Sequence, residues 1–241
     1  MPVFDEVATI FPVTLVLAVR GSDGVVMGSD SRAINNGMAI DGVHKLVQIA
    51  RNCCVGVAET ASAGVPFLRD AVQEMGLSTD RVADAHEVAR GLEKVLNRRL
   101  DTAADKEKRL LASAKFILAG YLGGGVRSVV YALDARLVGR FFILDQPEGF
   151  NKIGQENLAS YYLSLLQQPL DGIPCGELAR LVHFILAETS DAAPSVAMPF
   201  YLVRVGVDGV HQLDAAEYVT SSLGAGERIR AIVKALAGSR N

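Results

Sequence analysis

The chain has 241 residues, half of them apolar and 21% charged, with a formal charge of −3 at pH 7 and positive mean hydropathy. This composition excludes an intrinsically disordered chain, which would be poor in aliphatic residues and highly charged. It also gives no basic field for a nucleic-acid backbone. Aromatic residues make up only 6%, there is no Trp, and Gly occurs 23 times. Small, branched side chains of this kind suit closely stacked sheets and helices.

From Thr14 to Val19 the chain is one apolar run, the pattern of a strand covered on both faces. Arg20 to Gly24 forms a turn, and Val25–Gly28 returns as the second arm of a hairpin. Further turns fall at Asn35-Asn36-Gly37 and Asp41-Gly42. Leu46–Ile49 and Cys53–Ala58 form a second strand pair. The spacing of Val65, Leu68, Val72 and Met75 predicts a helix over Thr60–Met75, with Gly76 as its C-cap. A longer helix is predicted over Asp80–Asp101. Strands return at Lys115–Tyr121, Val126–Asp134, Leu137–Ile143 and Phe150–Ile153. Helices follow at Glu156–Gln167 and Gly176–Glu188. A last hairpin, Pro199–Val205 and Val210–Leu213, precedes a C-terminal helix over Gly226–Ala237. Strand runs that alternate with helix pairs predict two sheets packed face to face with helices outside. No linker-like stretch or internal repeat divides the chain.

Three cysteines, Cys53, Cys54 and Cys175, are too few and too close for a disulfide framework. No Cys or His cluster has metal-ligand spacing, so no metal or cofactor is expected. The apolar run Thr9–Val19 contains Pro12 and is far too short for a membrane span. There is no basic leader of a secretory kind, so a cytoplasmic location is expected. Phosphate-binding loops, the G-x-S-x-G elbow and H-E-x-x-H are all missing. Gly123-Gly124-Gly125 lies between two strands and reads as a tight turn.

The informative segment is Thr14 to Gly64, TLVLAVRGSDGVVMGSDSRAINNGMAIDGVHKLVQIARNCCVGVAETASAG. Taken singly, its residues are ordinary: Thr14 suits a strand start, Asp30 and Arg32 fit a solvated ion pair, and Lys45 fits a strand edge. Their order is informative. Thr14 opens a strand, Asp23-Gly24 turns it, Asp30-Ser31-Arg32 ends the second strand, and Lys45-Leu46-Val47-Gln48-Ile49 begins the next. In this order the sequence resembles the proteasome β-type family of N-terminal-nucleophile hydrolases, as a divergent bacterial-type homologue. The element order beyond residue 64 is also similar. The resemblance implies an α+β fold, a four-layer αββα sandwich of two antiparallel sheets flanked by helices. It also implies a short leader, residues 1–13, followed by a single domain over 14–241.

The resemblance implies a site as well. Thr14 would be the nucleophile, with its own freed α-amine as the base; such an amine titrates near pH 7–8 and is partly neutral there. Lys45 would lower the nucleophile's pKa, Asp30 would orient Lys45 and keep it charged, and Arg32 would brace the adjoining backbone. Asp191 and Ser195 would position the Thr14 amine. Val57 would line the specificity pocket, and the backbone N–H of Glu59 would stabilise the oxyanion. Three positions depart from the family pattern. Val13 stands where Gly normally precedes the nucleophile, Glu59 replaces a glycine, and Gln155 replaces the Ser of a Gly-Ser pair. The function implied is that of a threonine endopeptidase subunit, acting on polypeptides in stacked rings of identical subunits, with an ATP-dependent unfoldase as a possible partner. Two other readings stay open, a ring-forming homologue that keeps its leader and is inactive, and a small-molecule amidase of the wider N-terminal-nucleophile group.

Overall fold

The computed structural model describes residues 14–35, 38–58, 61–123, 125, 127–135, 139–147, 149–154, 156–165 and 170–218. The predicted leader, Val13, Glu59, Gln155 and the C-terminal helix predicted at Gly226–Ala237 lie outside them.

Two five-stranded antiparallel sheets form the centre of the molecule. The first contains β1 (Leu15–Gly21), β2 (Gly24–Ser29), β10 (Phe150–Gly154), β11 (Tyr201–Gly206) and β12 (Gly209–Leu213), in the order β10-β1-β2-β11-β12. The second runs in the order β5-β6-β7-β8-β9 and contains β5 (Leu46–Ala50), β6 (Cys53–Ala58), β7 (Lys115–Leu122), β8 (Arg127–Asp134) and β9 (Phe142–Asp145). Helices α4 (Glu156–Leu165) and α5 (Cys175–Ala192) cover the first sheet, α1 (Ala61–Glu74) and α2 (Ala85–Thr102) cover the second, and α3 (Asp105–Ser113) packs against α1 and α2.

The period-2 alternation of strands explains the continuous apolar runs. On β1, Leu15, Leu17 and Val19 face α5 and pack against Leu178, Val182 and Leu186. The intervening Val16 and Ala18 face inward and meet Met27, Cys54, Ile117 and Val130 between the sheets. Both faces are dry, so both sets must be apolar. A third cluster under α1 and α2 gathers Val55, Val57, Leu92, Leu96 and Phe116. The helix-facing side of β2 is bare at Gly28, where a Cβ would run into Val182 of α5 and into Leu202. That absence lets α5 lie close on the strand that leads to Asp30.

Several elements differ from the sequence expectation. Residues Ala33–Asn35 and Met38–Ile40 pair as a small separate hairpin, β3 and β4, too short to carry a periodic signal. α2 starts at Ala85 rather than Asp80, because Asp84 caps it by accepting from the backbone N–H groups of His86 and Glu87. α3 was not expected; its sequence is mostly charged and buries only Leu111. β9 begins at Phe142 rather than Leu137. α5 continues to Ala192, four residues past its predicted end, which puts Asp191 in a helical turn. Among the described residues, no helix is long and apolar enough to cross a membrane.

Candidate active site

The hairpin β1–β2 brings the start of one strand beside the end of the next. Val16 pairs with Ser29, and the backbone N–H of Asp30 donates to the Leu15 carbonyl at 3.2 Å. Thr14 and Asp30, 16 residues apart, therefore meet at one end of the sheet. The second sheet delivers Lys45 to the same point as the residue before β5. The carbonyl of Lys45 accepts from the Val57 N–H at 3.0 Å, which fixes its backbone.

The three side chains form a closed cluster, with Thr14 1% exposed and both Asp30 and Lys45 fully buried. One carboxylate oxygen of Asp30, Oδ1, accepts from the Thr14 hydroxyl at 2.8 Å, the Leu15 N–H at 2.9 Å and Lys45 Nζ at 2.6 Å. The other, Oδ2, accepts from the Arg32 N–H at 2.9 Å. Lys45 Nζ also donates to Thr14 Oγ1 and to the Arg32 carbonyl. Its three donors are thus matched to three acceptors, which is what makes a buried ammonium tolerable. Burial pushes the Lys45 pKa below the ordinary lysine value, and the charge and hydrogen bond of Asp30 oppose that push. The arrangement can hold the Thr14 hydroxyl with its proton directed to a carboxylate and its lone pair facing an amine.

Arg32 forms the next layer. Its guanidinium grips the Asp41 carboxylate in a two-point fork, at 2.8 and 3.0 Å, and a further donor reaches the Pro194 carbonyl. The fork holds the Asp41 carboxyl below its usual range and raises the Arg32 pKa. Ser31 ties down the same segment, since its N–H and Oγ donate to the Ala197 carbonyl at 3.0 and 3.2 Å. Residues 194–197 are thereby fastened to the two residues that follow Asp30.

The remaining expected site residues lie as follows. Ser195 sits half-buried in this fastened segment. Asp191 lies exposed on the last turn of α5 and makes no side-chain hydrogen bond among the described residues. Val57 is fully buried on the helix-facing side of β6, where a Cβ on Gly64 of α1 would lie 2.6 Å from its side chain. Glu59 and Gln155 lie outside the described residues.

Sequence reasoning missed two contributors. Asp41 reads as a turn residue beside Gly42, and no local signal pairs it with Arg32. Gly154 ends β10 at φ +97°, opposite Leu15, and a Cβ there would lie 2.6 Å from the Thr14 carbonyl carbon. Its side carries only hydrogen because the backbone of Thr14 occupies the space. The signal available was the Gly in Gly154-Gln155.

Two antiparallel five-stranded sheets between helix layers, with a hydroxyl residue entering the first strand of the sandwich, define the N-terminal-nucleophile class of fold. Residues 13–132 match the family model described as Proteasome subunit, and the chain belongs to that family. Solved structures with the same fold include Anbu (ancestral beta-subunit) from Yersinia bercovieri, with TM-score 0.67 and 16% identity, covering 94% of this chain and 96% of that one. Anbu from Hyphomicrobium sp. strain MC1 is similar, with TM-score 0.65, 17% identity and 94% of each chain covered. A Gly-1 mutant of the latter protein matches with TM-score 0.65, 18% identity and the same coverage. No curated protein sequence matches the chain.

Proposed function

We propose that the chain is the threonine-type peptidase subunit of a proteasome-like assembly of identical subunits, with Thr14 as nucleophile. The observation that carries this reading is the dry cluster of Thr14, Asp30 and Lys45. A buried Lys–Asp pair is an expensive way to stabilise a fold, and here both partners are directed at one hydroxyl. A structural ion pair has no need of that third member.

The chemistry has two stages. In the first, Thr14 Oγ1 attacks the carbonyl carbon of Val13 and its proton passes to the Asp30–Lys45 pair. The C–N bond to Thr14 breaks as its nitrogen takes up a proton, and water hydrolyses the resulting ester to free the leader. In the second, the liberated α-amine of Thr14 is the base. Oγ1 attacks a substrate carbonyl, the amine relays the proton to the departing amine of the substrate, and water then cleaves the acyl ester. Lys45 keeps a donor on Oγ1 throughout and favours the developing alkoxide. The backbone N–H of Glu59 is the proposed oxyanion donor, Asp191 and Ser195 the residues that orient the freed amine, Val57 a determinant of the specificity pocket, and Gln155 a neighbour of the nucleophile. Stacked rings, an unfoldase partner and a cytoplasmic location are parts of the same reading.

Intact-mass measurement of the purified protein tests it. A mass lacking residues 1–13, restored to full length by Thr14→Ala, supports the peptidase. A full-length mass after prolonged incubation sinks it in favour of an inactive ring-forming homologue. Light scattering tests the assembly, since a monomer or dimer would instead favour an amidase.

A further inference from the structure

The loop that joins β4 to β5, residues 41–45, carries Lys45 into the site without belonging to a strand or helix. Beyond the Asp41 fork, three consecutive residues fasten it. The Val43 N–H donates to the Ser31 carbonyl at 2.9 Å, and the Lys45 carbonyl accepts from the Val57 N–H at 3.0 Å. Between them, His44 lays its imidazole against the ring of Tyr201, with ring centres 3.9 Å apart and planes inclined by 32°. Tyr201 opens β11 and is the register partner of Ser29, the residue before Asp30.

Two backbone bonds, one at Val43 and one at Lys45, fix two points and leave the segment between them free to rotate about the line joining them. A contact off that line removes the rotation, and the His44 ring supplies it. The stack also crosses from the second sheet to the first at the corner where the ion pair closes. His44 directly precedes Lys45, and Tyr201 lies opposite the residue that directly precedes Asp30. A lysine side chain has large rotamer freedom, so the reach of Nζ depends on where its Cα is held. Aromatic rings in contact contribute beyond the area they bury, and the imidazole needs no charge for this. We propose that His44 is a positioning residue, whose stack on Tyr201 holds Lys45 Nζ between Thr14 Oγ1 and Asp30. Its effect on rate rests on the reading of Thr14 as nucleophile; its hold on Lys45 is a property of the folded chain alone.

His44 is exposed on its outer side, so its ring can be replaced without opening the core. His86 of α2 and Tyr131 of β8 form a second histidine–tyrosine pair, with centres 5.9 Å apart, on the helix side of the second sheet. That pair touches no residue of the site and serves as the control.

The test measures the rate at which an N-hydroxysuccinimide ester acetylates each lysine of the purified protein, read by peptide mass mapping. It runs beside kcat and KM for a fluorogenic peptide. Lys45 and Lys115, both buried, should label slowly in the wild type. His44→Ala is expected to speed labelling of Lys45 by a factor of roughly 3–10, the worth of an aromatic contact, and to leave Lys115 unchanged. It should lower kcat by at least that factor with KM unchanged. His44→Phe, which restores the stack without a titrating group, is expected to return both to wild-type values, and His86→Ala to change neither. Unchanged labelling of Lys45 in His44→Ala, equal acceleration at Lys115, no restored protection in His44→Phe, or an unchanged kcat in an active protein overturns the proposal. A protein that shows this labelling pattern but cleaves no peptide keeps the hold on Lys45 and refutes the peptidase reading instead.

Discussion

Substituting Gly154 by Ala should damage the site from its backbone side. Gly154 has φ +97°, a conformation that costs an L-residue about 1–2 kcal/mol. The added Cβ would also lie 2.6 Å from the carbonyl carbon of Thr14 and 3.3 Å from the Cα of Leu15, with the Thr14 carbonyl oxygen closer still. No side-chain rotation relieves this, because both partners are backbone in the paired register Leu15↔Gly154. The strands must part, at a cost of roughly 3–5 kcal/mol in total, within the range of severe single substitutions. A control separates the two causes. Gly76, at φ +64° with open space around it, should lose only about 1 kcal/mol as Ala. Urea unfolding measures both stabilities. Displacing Thr14 by about 1 Å should also lower hydrolysis of a fluorogenic peptide about 100-fold. If Gly154→Ala is no less stable than Gly76→Ala and cleaves peptides at the wild-type rate, the argued contact is not the reason for glycine here.

Further outcomes follow from the same geometry. Lys45→Met leaves Asp30 fully buried without its cation, and unfolding should show a loss of about 3–5 kcal/mol. Adding Asp30→Asn should recover part of that loss, so the double variant is less than additive. The Lys45 pKa is depressed by burial, so the unfolded chain holds more protons between the folded pKa and 10.5. Lys45 therefore makes stability rise with pH across that window, a slope that Lys45→Met should remove. Asp84→Ala takes an acceptor from His86, Glu87 and Gly123, and should cost about 1–2 kcal/mol. Hydrogen bonds from these groups, Gly123 foremost, hold the Asp84 pKa down. Its contribution is accordingly present above the normal aspartate range and lost as pH falls through the folded pKa. Burial pushes the thiols of Cys53, Cys54 and Cys175 up to about 12, so none should react with a disulfide reagent at pH 8 until the protein unfolds.

Much of the fold can be read from the sequence because both sheets are covered on both faces. That turns β1, β2 and β6 into unbroken apolar runs with Gly-rich turns between them, a pattern with few architectural solutions. The elements that escaped are those whose stability is not apolar. The hairpin β3–β4 exposes Met38 and Ile40, and α3 is largely charged, so neither leaves a periodic trace. The site divides in the same way. Thr14, Asp30 and Lys45 announce themselves through their order along the hairpin and the next strand. Asp41 could not, because its pairing with Arg32 depends on how a turn folds back across nine residues. The tie from Arg32 to Pro194 spans 162 residues and ends on a backbone carbonyl, a group with no sequence identity at all.

The central claim is that Thr14 Oγ1 forms the bond to the acyl group. Treating the purified protein with a peptide-like β-lactone, then locating the acyl group by peptide mass mapping, tests this most directly. The account predicts one ester adduct per chain, on Thr14, absent from Thr14→Ala and much slower to form in Lys45→Met. An adduct on another residue, or none on a protein that has already lost its leader, would contradict it.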